Sequence, residues 1–305
     1  MFSRTLFNRL GVVAALAVST LCATANVKLP SILGSHMVLQ RGGECPIWGW
    51  AEAGEKISVS FGDQKLNTTA DKDGTWSVRL AAMQASAQGR TLTVKGNNTL
   101  KLEDVLVGEV WLCSGQSNME WPVERANNAE EEIANANHPR LRHIKIPHRP
   151  SLKEESDVPS TGWQISSSDT VAKFTAVGYF FGRHLMNELD VPIGLIGSNW
   201  GGTRIEPWIP PAGFKGVPAL KSITDELASF PSMRKLKNKK TGKVTEKINH
   251  QTPLALYNGM IRPLLPFAIK GAIWYQGESN NGEGMLYHEK MKALIQGWRE
   301  VWSDP

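Results

Sequence analysis

Three short apolar runs, each closed by a glycine-containing polar turn, constrain this chain more than any other feature. Leu106–Cys113 runs into Gly115-Gln-Ser-Asn118, Pro192–Ser198 into Asn199-Trp-Gly-Gly-Thr-Arg204, and Ile269–Tyr275 into Gln276-Gly-Glu-Ser-Asn280. Runs of this length without alternation fit strands covered on both faces, the condition of a parallel sheet. Leu141–Ile146 reads as a further strand. Helical patterns lie between and after the strands. Glu124–Asn135 is polar with good helix formers, and Val177–Leu189 carries Tyr179, Phe180, His184, Leu185 and Leu189 on overlapping faces. Met285–Trp302 is amphipathic. Such alternation predicts an α/β sheet domain. Residues 147–170 form a Pro- and Ser-rich connection, and 211–250 an irregular insertion whose basic run Arg234–Lys243 reads as a solvated loop.

Residues 26–104 follow a period of two instead. Ile57, Val59 and Phe61 alternate with polar residues, as do Trp76, Val78 and Leu80, and Leu92 and Val94 continue the pattern. Gly42-Gly43, Ala53-Gly54, Asp73-Gly74 and Gly96-Asn97-Asn98 punctuate the runs. This predicts a small all-β sandwich domain over 26–104 and an α/β domain over 105–305. Asp71-Lys-Asp73-Gly74 begins like a calcium loop, but the later ligands are absent, and a hairpin turn is the expectation.

The first 25 residues read as a signal peptide. Arg4 and Arg9 precede the apolar run Leu10–Leu21, which is too short to span a bilayer, and Ala23-Thr-Ala25 supplies a cleavage site. The expected location is periplasmic or extracellular. Without Arg4 and Arg9 the formal charge of +5 falls by two, which gives no argument for nucleic acid. Cys45 and Cys113 would remain in the mature chain, Cys113 inside an apolar run as a packing residue. No metal-ligand spacing joins the three cysteines and seven histidines, and no phosphate-binding Gly-x-x-x-x-Gly-Lys-[Ser/Thr] run occurs. No metal or cofactor is expected.

In an open α/β sheet the functional crevice lies at the carboxyl ends of the strands. Ser117 stands just past one such end, where Gly115 lets the backbone turn. The Gly-x-Ser-x-Gly elbow is not present, because Met119 takes the second glycine position. Ser117 or Asn118 serving as a helix N-cap accounts for Gly-x-Ser-Asn just as well. The other two turns tip the balance. Acyl transfer needs a nucleophile and donors for the oxyanion of the tetrahedral intermediate. The amides of Ser117 and of Gly202 or Gly201 are candidate donors, with the side chain of Gln276 or Asn280 as a third. Eleven tryptophans is a high count, and Trp48, Trp50, Trp111, Trp121, Trp200, Trp208 and Trp274 flank glycine-rich turns. Each is a candidate wall for a sugar ring or a core residue.

Gly115-Gln-Ser-Asn-Met119, Asn199-Trp-Gly-Gly-Thr-Arg-Ile-Glu-Pro-Trp208 and Trp274-Tyr-Gln-Gly-Glu-Ser-Asn280 resemble the blocks of the sialate O-acetylesterase family of SGNH-type carbohydrate esterases. The resemblance extends over roughly 27–302 and implies an SGNH-like, flavodoxin-like three-layer α/β/α domain behind a β-sandwich. It implies a serine esterase that removes O-acetyl groups from sialic acid through an acetyl-serine intermediate, with no cofactor. Ser117 matches the nucleophile, Gly202 or Gly201 the oxyanion glycine, and Gln276 the polar donor, with Asn280 and Asn118 in support. Arg204 would pair with a sialic acid carboxylate, or with Glu206 or another acid, while Trp121 and Trp200 would wall the sugar. The family's Asp-x-x-His block, which carries the catalytic histidine, has no counterpart here. His184, His250 and His288 stand in other contexts. The expectation is a C-terminally incomplete esterase domain, with two alternatives. One is an acetylesterase acting on neutral carbohydrates such as acetylxylan. The other is a catalytically incomplete carbohydrate-binding relative.

Overall fold

The computed structural model describes residues 26–227, 233–237 and 244–303. The expected signal peptide lies outside the described residues, as do 238–243 of the basic run.

The amino-terminal unit contains strands β1 (Val38–Gln40), β2 (Cys45–Trp50), β3 (Lys56–Phe61), β4 (Gln64–Thr69), β5 (Thr75–Leu80) and β6 (Ser86–Lys95). The alternation does what period two requires: Ile57, Val59 and Phe61 are buried, as are Trp76, Val78 and Leu80. β2 pairs with β5 in a two-stranded ribbon separate from the sheet in which β3 pairs with β4 and β6. Asp71 shapes a turn, accepting hydrogen bonds from the amides of Asp73 and Thr75.

One strand joins both units. β7 (Thr99–Gly115) is 17 residues long, more than twice the apolar run that announced it. Its first half lies antiparallel to β6, and its second half lies parallel between β10 (Ile193–Asn199) and β13 (Gly271–Tyr275). The boundary expected at 104/105 falls inside it, where Asp104 has φ 54° and binds the buried Arg142 at 2.7 Å.

After β7 come α1 (Ser117–Glu120), α2 (Ala129–Ala134), β8 (His138–Lys145), β9 (Gln164–Ser166) and α3 (Ala176–Leu189). The chain then forms β10, α4 (Pro211–Phe214), α5 (Lys221–Leu227), β11 (Met233–Lys237), β12 (Val244–Ile248), β13 and α6 (Met285–Ser303). The order across the second half of the sheet is β13-β7-β10-β8-β9, parallel except for β9. Successive strand residues face opposite ways. Leu112, Ile144 and Ile196 therefore pack with Ala293, Leu294 and Trp298 of α6, while Cys113, Leu141 and Leu195 pack with Tyr179 and Met186 of α3. The result is three layers. Cys113 is a packing residue whose thiol burial holds protonated, and a Cβ at Gly178 would come within 2.9 Å of its sulfur.

Two expectations need correction. Glu124–Asn135 is not one helix: Val123–Arg125 is a 3-10 turn, and α2 begins only after Asn128, which sits at φ 55°. The basic run is not simply a loop, since β11 and β12 pair antiparallel from Met233↔Ile248 to Lys237↔Val244.

Candidate active site

Register alone brings the three turns together. Gly115 is the partner of both Asn199 and Tyr275, so β7, β10 and β13 end level with one another. The Trp200 amide donates to Gly115 O at 3.0 Å and the Gln116 amide to Tyr275 O at 2.9 Å. Gly115 makes the closeness possible, because it adopts φ +140° and a Cβ there would meet Tyr275 O at 2.1 Å.

Ser117 opens α1 two residues beyond this junction, exposed to solvent. The N-cap position belongs to Gln116, and no side chain caps the helix, so the capping alternative for Ser117 and Asn118 is not what the fold uses. The Gly201 backbone packs against the serine: a Cβ there would lie 3.4 Å from Ser117 Cβ. Gly202, exposed at φ +75°, offers an amide with no protein partner among the described residues, while its carbonyl accepts from Gln251 Nε2 at 2.6 Å.

The other expected donors are engaged elsewhere. Gly201 donates its N–H to Glu120 Oε2 at 2.6 Å. Gln276 Nε2 lies 3.1 Å from Gln116 Oε1, 3.2 Å from Thr203 O and 2.8 Å from Asn280 Oδ1. Two hydrogens already shared among three acceptors leave none for an oxyanion. Asn280 is buried, accepts from the Ile205 amide at 3.0 Å, and donates to Glu206 at 3.0 Å and Glu283 at 3.1 Å. Gln276 and Asn280 thus brace the site from beneath. Asn118 Nδ2 donates to Glu278, tying the first turn to the third.

Below that brace lies an ionic cluster that the sequence did not announce. Lys290 of α6 is 2 % exposed and pairs with Glu206 at 2.5 Å and Glu283 at 2.6 Å. Burial would raise the pKa of Glu206, but its bonds to Lys290 and Asn280 prevail and hold it below the ordinary glutamate range. This pairing also answers the alternative for Arg204, whose expected acid partner Glu206 is taken by Lys290. Arg204 lines a cleft of about 610 Å³ with Gln251, Ser222, Leu286 and Lys290.

Trp121, 47 % exposed, stands just beyond α1, with its Nε1–H donating to Arg125 O. Trp200 has a ring covered by His148 at 4.2 Å and by His250 at 4.9 Å, which leaves little of its face for a sugar. Trp208 is fully buried, and Trp111 and Trp274 pack edge-on against Phe181 and Trp208. Trp48 and Trp50 lie far from Ser117 in sequence and line a crevice of the β unit. Sequence reasoning missed Gln116, Glu120, His148 and Gln251. The first two stand within three residues of Ser117. His148 and Gln251 belong to no pattern. Among the described residues no group of three or more His, Cys, Asp and Glu is arranged to hold a metal.

Comparison with known proteins gives a consistent result. A family model described as carbohydrate esterase, sialic acid-specific acetylesterase, matches residues 107–304. Sialate O-acetylesterase from Homo sapiens is 33% identical over 297 residues, covering 90% of this chain and 53% of its own length. That from Rattus norvegicus is 32% identical over 308 residues, covering 90% and 56%. The chain thus spans about half the length of the curated relatives it matches. The crystal structure of a carbohydrate acetylesterase from Xanthomonas citri superposes with TM-score 0.77 at 36% identity, covering 92% of this chain and 58% of that one.

Proposed function

The chain belongs to the sialic acid-specific acetylesterase family of carbohydrate esterases, and from that premise we propose that it hydrolyses O-acetyl esters of sugars, sialic acid first among them, with Ser117 as nucleophile. The observation that carries this reading is the exposed Ser117 packed against Gly201, with the open Gly202 amide one residue further on, at three level strand ends. In the proposed reaction Ser117 Oγ attacks the acetyl carbonyl carbon. The resulting oxyanion accepts from the Ser117 and Gly202 amides. The sugar oxygen leaves with a proton, and water then cleaves acetyl-serine to acetate. The Ser117 proton needs an acceptor, and the family's Asp-x-x-His run does not occur in this sequence. His148 Nε2 is committed to Glu120 and Asn199 O. Without a base a serine is a weak nucleophile, so turnover by this chain should be slow and should rise with added imidazole.

The test is acetate release from O-acetylated sialic acid, with and without imidazole, in wild type and Ser117→Ala. Triad members act as a unit, so the serine shows itself only when a base is supplied: Ser117→Ala should lose the imidazole-dependent acetate release. Imidazole-dependent release by Ser117→Ala at the wild-type rate would remove Ser117 from its role. A second reading, ester hydrolysis on neutral sugars such as acetylxylan, is supported by the likeness to a carbohydrate acetylesterase; equal assays on both substrates separate the two. Sugar binding without acetate release by a demonstrably complete gene product would favour the third reading, a binding relative. Export to the periplasm or extracellular space is part of the proposal, supported by the amino-terminal leader pattern.

A further inference from the structure

One carboxylate near the site has no part in the chemistry just described. Glu120 lies one helical turn past Ser117, so nucleophile and carboxylate ride on the same short helix. Its Oε2 accepts the Gly201 N–H at 2.6 Å. Its Oε1 lies 2.9 Å from His148 Nε2, which is also 3.1 Å from Asn199 O. Both partners of that nitrogen are acceptors, so Nε2 carries the proton. The His148 ring lies flat on Trp200, 4.2 Å away and tilted by 4°. The carbonyl of Asn199, the ring of Trp200 and the amide of Gly201 are therefore all gripped by a single Glu–His pair. There is no slack, since a Cβ on Gly201 would come 3.2 Å from Glu120 Oε2. Gln251 holds the far end through Gly202 O.

We propose that Glu120, backed by His148, is a positioning residue that locks the Asn199–Gly202 turn so that the Gly202 N–H faces the oxyanion formed at Ser117. This rests on the reading of Ser117 as the nucleophile. Taking up the Gly201 amide leaves one glycine donor for the intermediate, and the left-handed bend at Gly202 follows from that anchoring. Among the described residues, the charged groups that bear on Glu120 are His148 and Lys145, and His148 in turn pairs with Glu120. Burial would raise the Glu120 pKa, but the bonds from His148 and Gly201, with the charge of Lys145, hold it below the ordinary glutamate range. A depressed acid keeps its contribution at higher pH and loses it as pH falls through the lowered value. The lock should therefore open only in acid.

The experiment uses the full chain as wild type, Glu120→Gln and Glu120→Ala, each first checked for an unchanged thermal midpoint. kcat and KM for acetate release are measured at neutral pH with imidazole, and Gly201 and Gly202 amide exchange and shifts are followed across pH by NMR on glycine-labelled protein. In Glu120→Ala, kcat should fall about 10²-fold, the loss of one oxyanion donor, with KM within about twofold. Glu120→Gln, which keeps an acceptor for Gly201, should recover part of kcat and abolish the acid titration of the Gly201 amide shift. The Gly201 amide should exchange faster in Glu120→Ala, and its shift in wild type should titrate with Glu120. Unchanged kcat, a loss confined to KM, or unchanged Gly201 exchange in Glu120→Ala would overturn the proposal. If wild type releases no acetate, the functional reading fails separately, and Gly201 exchange alone decides the lock. Should Glu120→Ala not fold, Glu120→Gln carries the test: a Gly201 amide shift that titrates in acid as in wild type overturns it.

Discussion

The turns that follow β7 and β13 leave the sheet at the same level and contain similar residues, yet one ends open and the other sealed. Gly115 and Tyr275 are register partners. Beyond Gly115 a single helical turn carries the Ser117 hydroxyl into solvent. Beyond Tyr275, α6 comes down over the chain. Tyr287 donates to Gln276 at 2.9 Å, Asn280 is enclosed by Glu206 and Glu283, and Lys290 closes the far side. A polar side chain at a strand end is thus a reagent or a brace according to how many partners surround it.

The largest test of this contrast breaks the sealed side. Lys290→Met fills the same space but leaves the buried Glu206 and the half-buried Glu283 without their cation. Removing one member of a buried ion pair costs about 3–5 kcal/mol, which urea unfolding would read directly. A cost under about 1 kcal/mol would mean the cluster is wet and the turn not sealed.

A smaller effect decides what Gln276 is. As a brace its loss in Gln276→Ala costs about 1–3 kcal/mol of stability, because Asn280 Oδ1 and Gln116 Oε1 lose a donor. Its kcat, per folded molecule, should stay within about threefold. As an oxyanion donor its loss would instead lower kcat by about 10²–10³. The two outcomes differ by more than any error in the assay, and the second would make both turns reactive.

Why the sequence showed where the turns converge but not which side chains face the pocket follows from these residues. A strand end is announced locally, by an apolar run meeting glycine. The fate of Gln276 is set by Gln116, Thr203 and Tyr287, which are distant in the chain, and no periodicity records them. Glu124–Asn135 misled for a related reason. Its helix formers lacked an apolar stripe, and packing decides helix extent more than propensity does. The pairing of β11 with β12 was invisible because their lysines follow no alternation with apolar residues. β7 looked short because only its second half is mostly apolar and almost continuously buried; the first half alternates, as a sheet with one open face requires.

The sealed side should also be the acid-labile one. The Glu206 pKa is held down in the folded chain, so its stabilisation is complete above the ordinary glutamate value and is lost as pH falls through the lowered one. Each pH unit of depression corresponds to about 1.4 kcal/mol. Urea midpoints of wild type should drop in that acid window. Glu206→Gln should start less stable and show a flatter profile. Parallel profiles would place the acid sensitivity elsewhere.

The smallest effect lies on the open side. Arg204 is exposed and borders the cleft next to the turn that holds Gly202, with its backbone amide bonded to Gln251 at 2.8 Å. Since Lys290 has taken Glu206, the guanidinium is left to the solvent side, where a substrate carboxylate would meet it. An exposed charge is screened by water and salt, so Arg204→Gln should raise KM for O-acetylated sialic acid by only about tenfold, near 1.4 kcal/mol. The loss should shrink at high salt, and KM for a neutral acetylated sugar should not move. Equal effects on the two substrates would mean that Arg204 shapes the cleft without reading charge, and the neutral-sugar reading would then account for the site better than the acidic one.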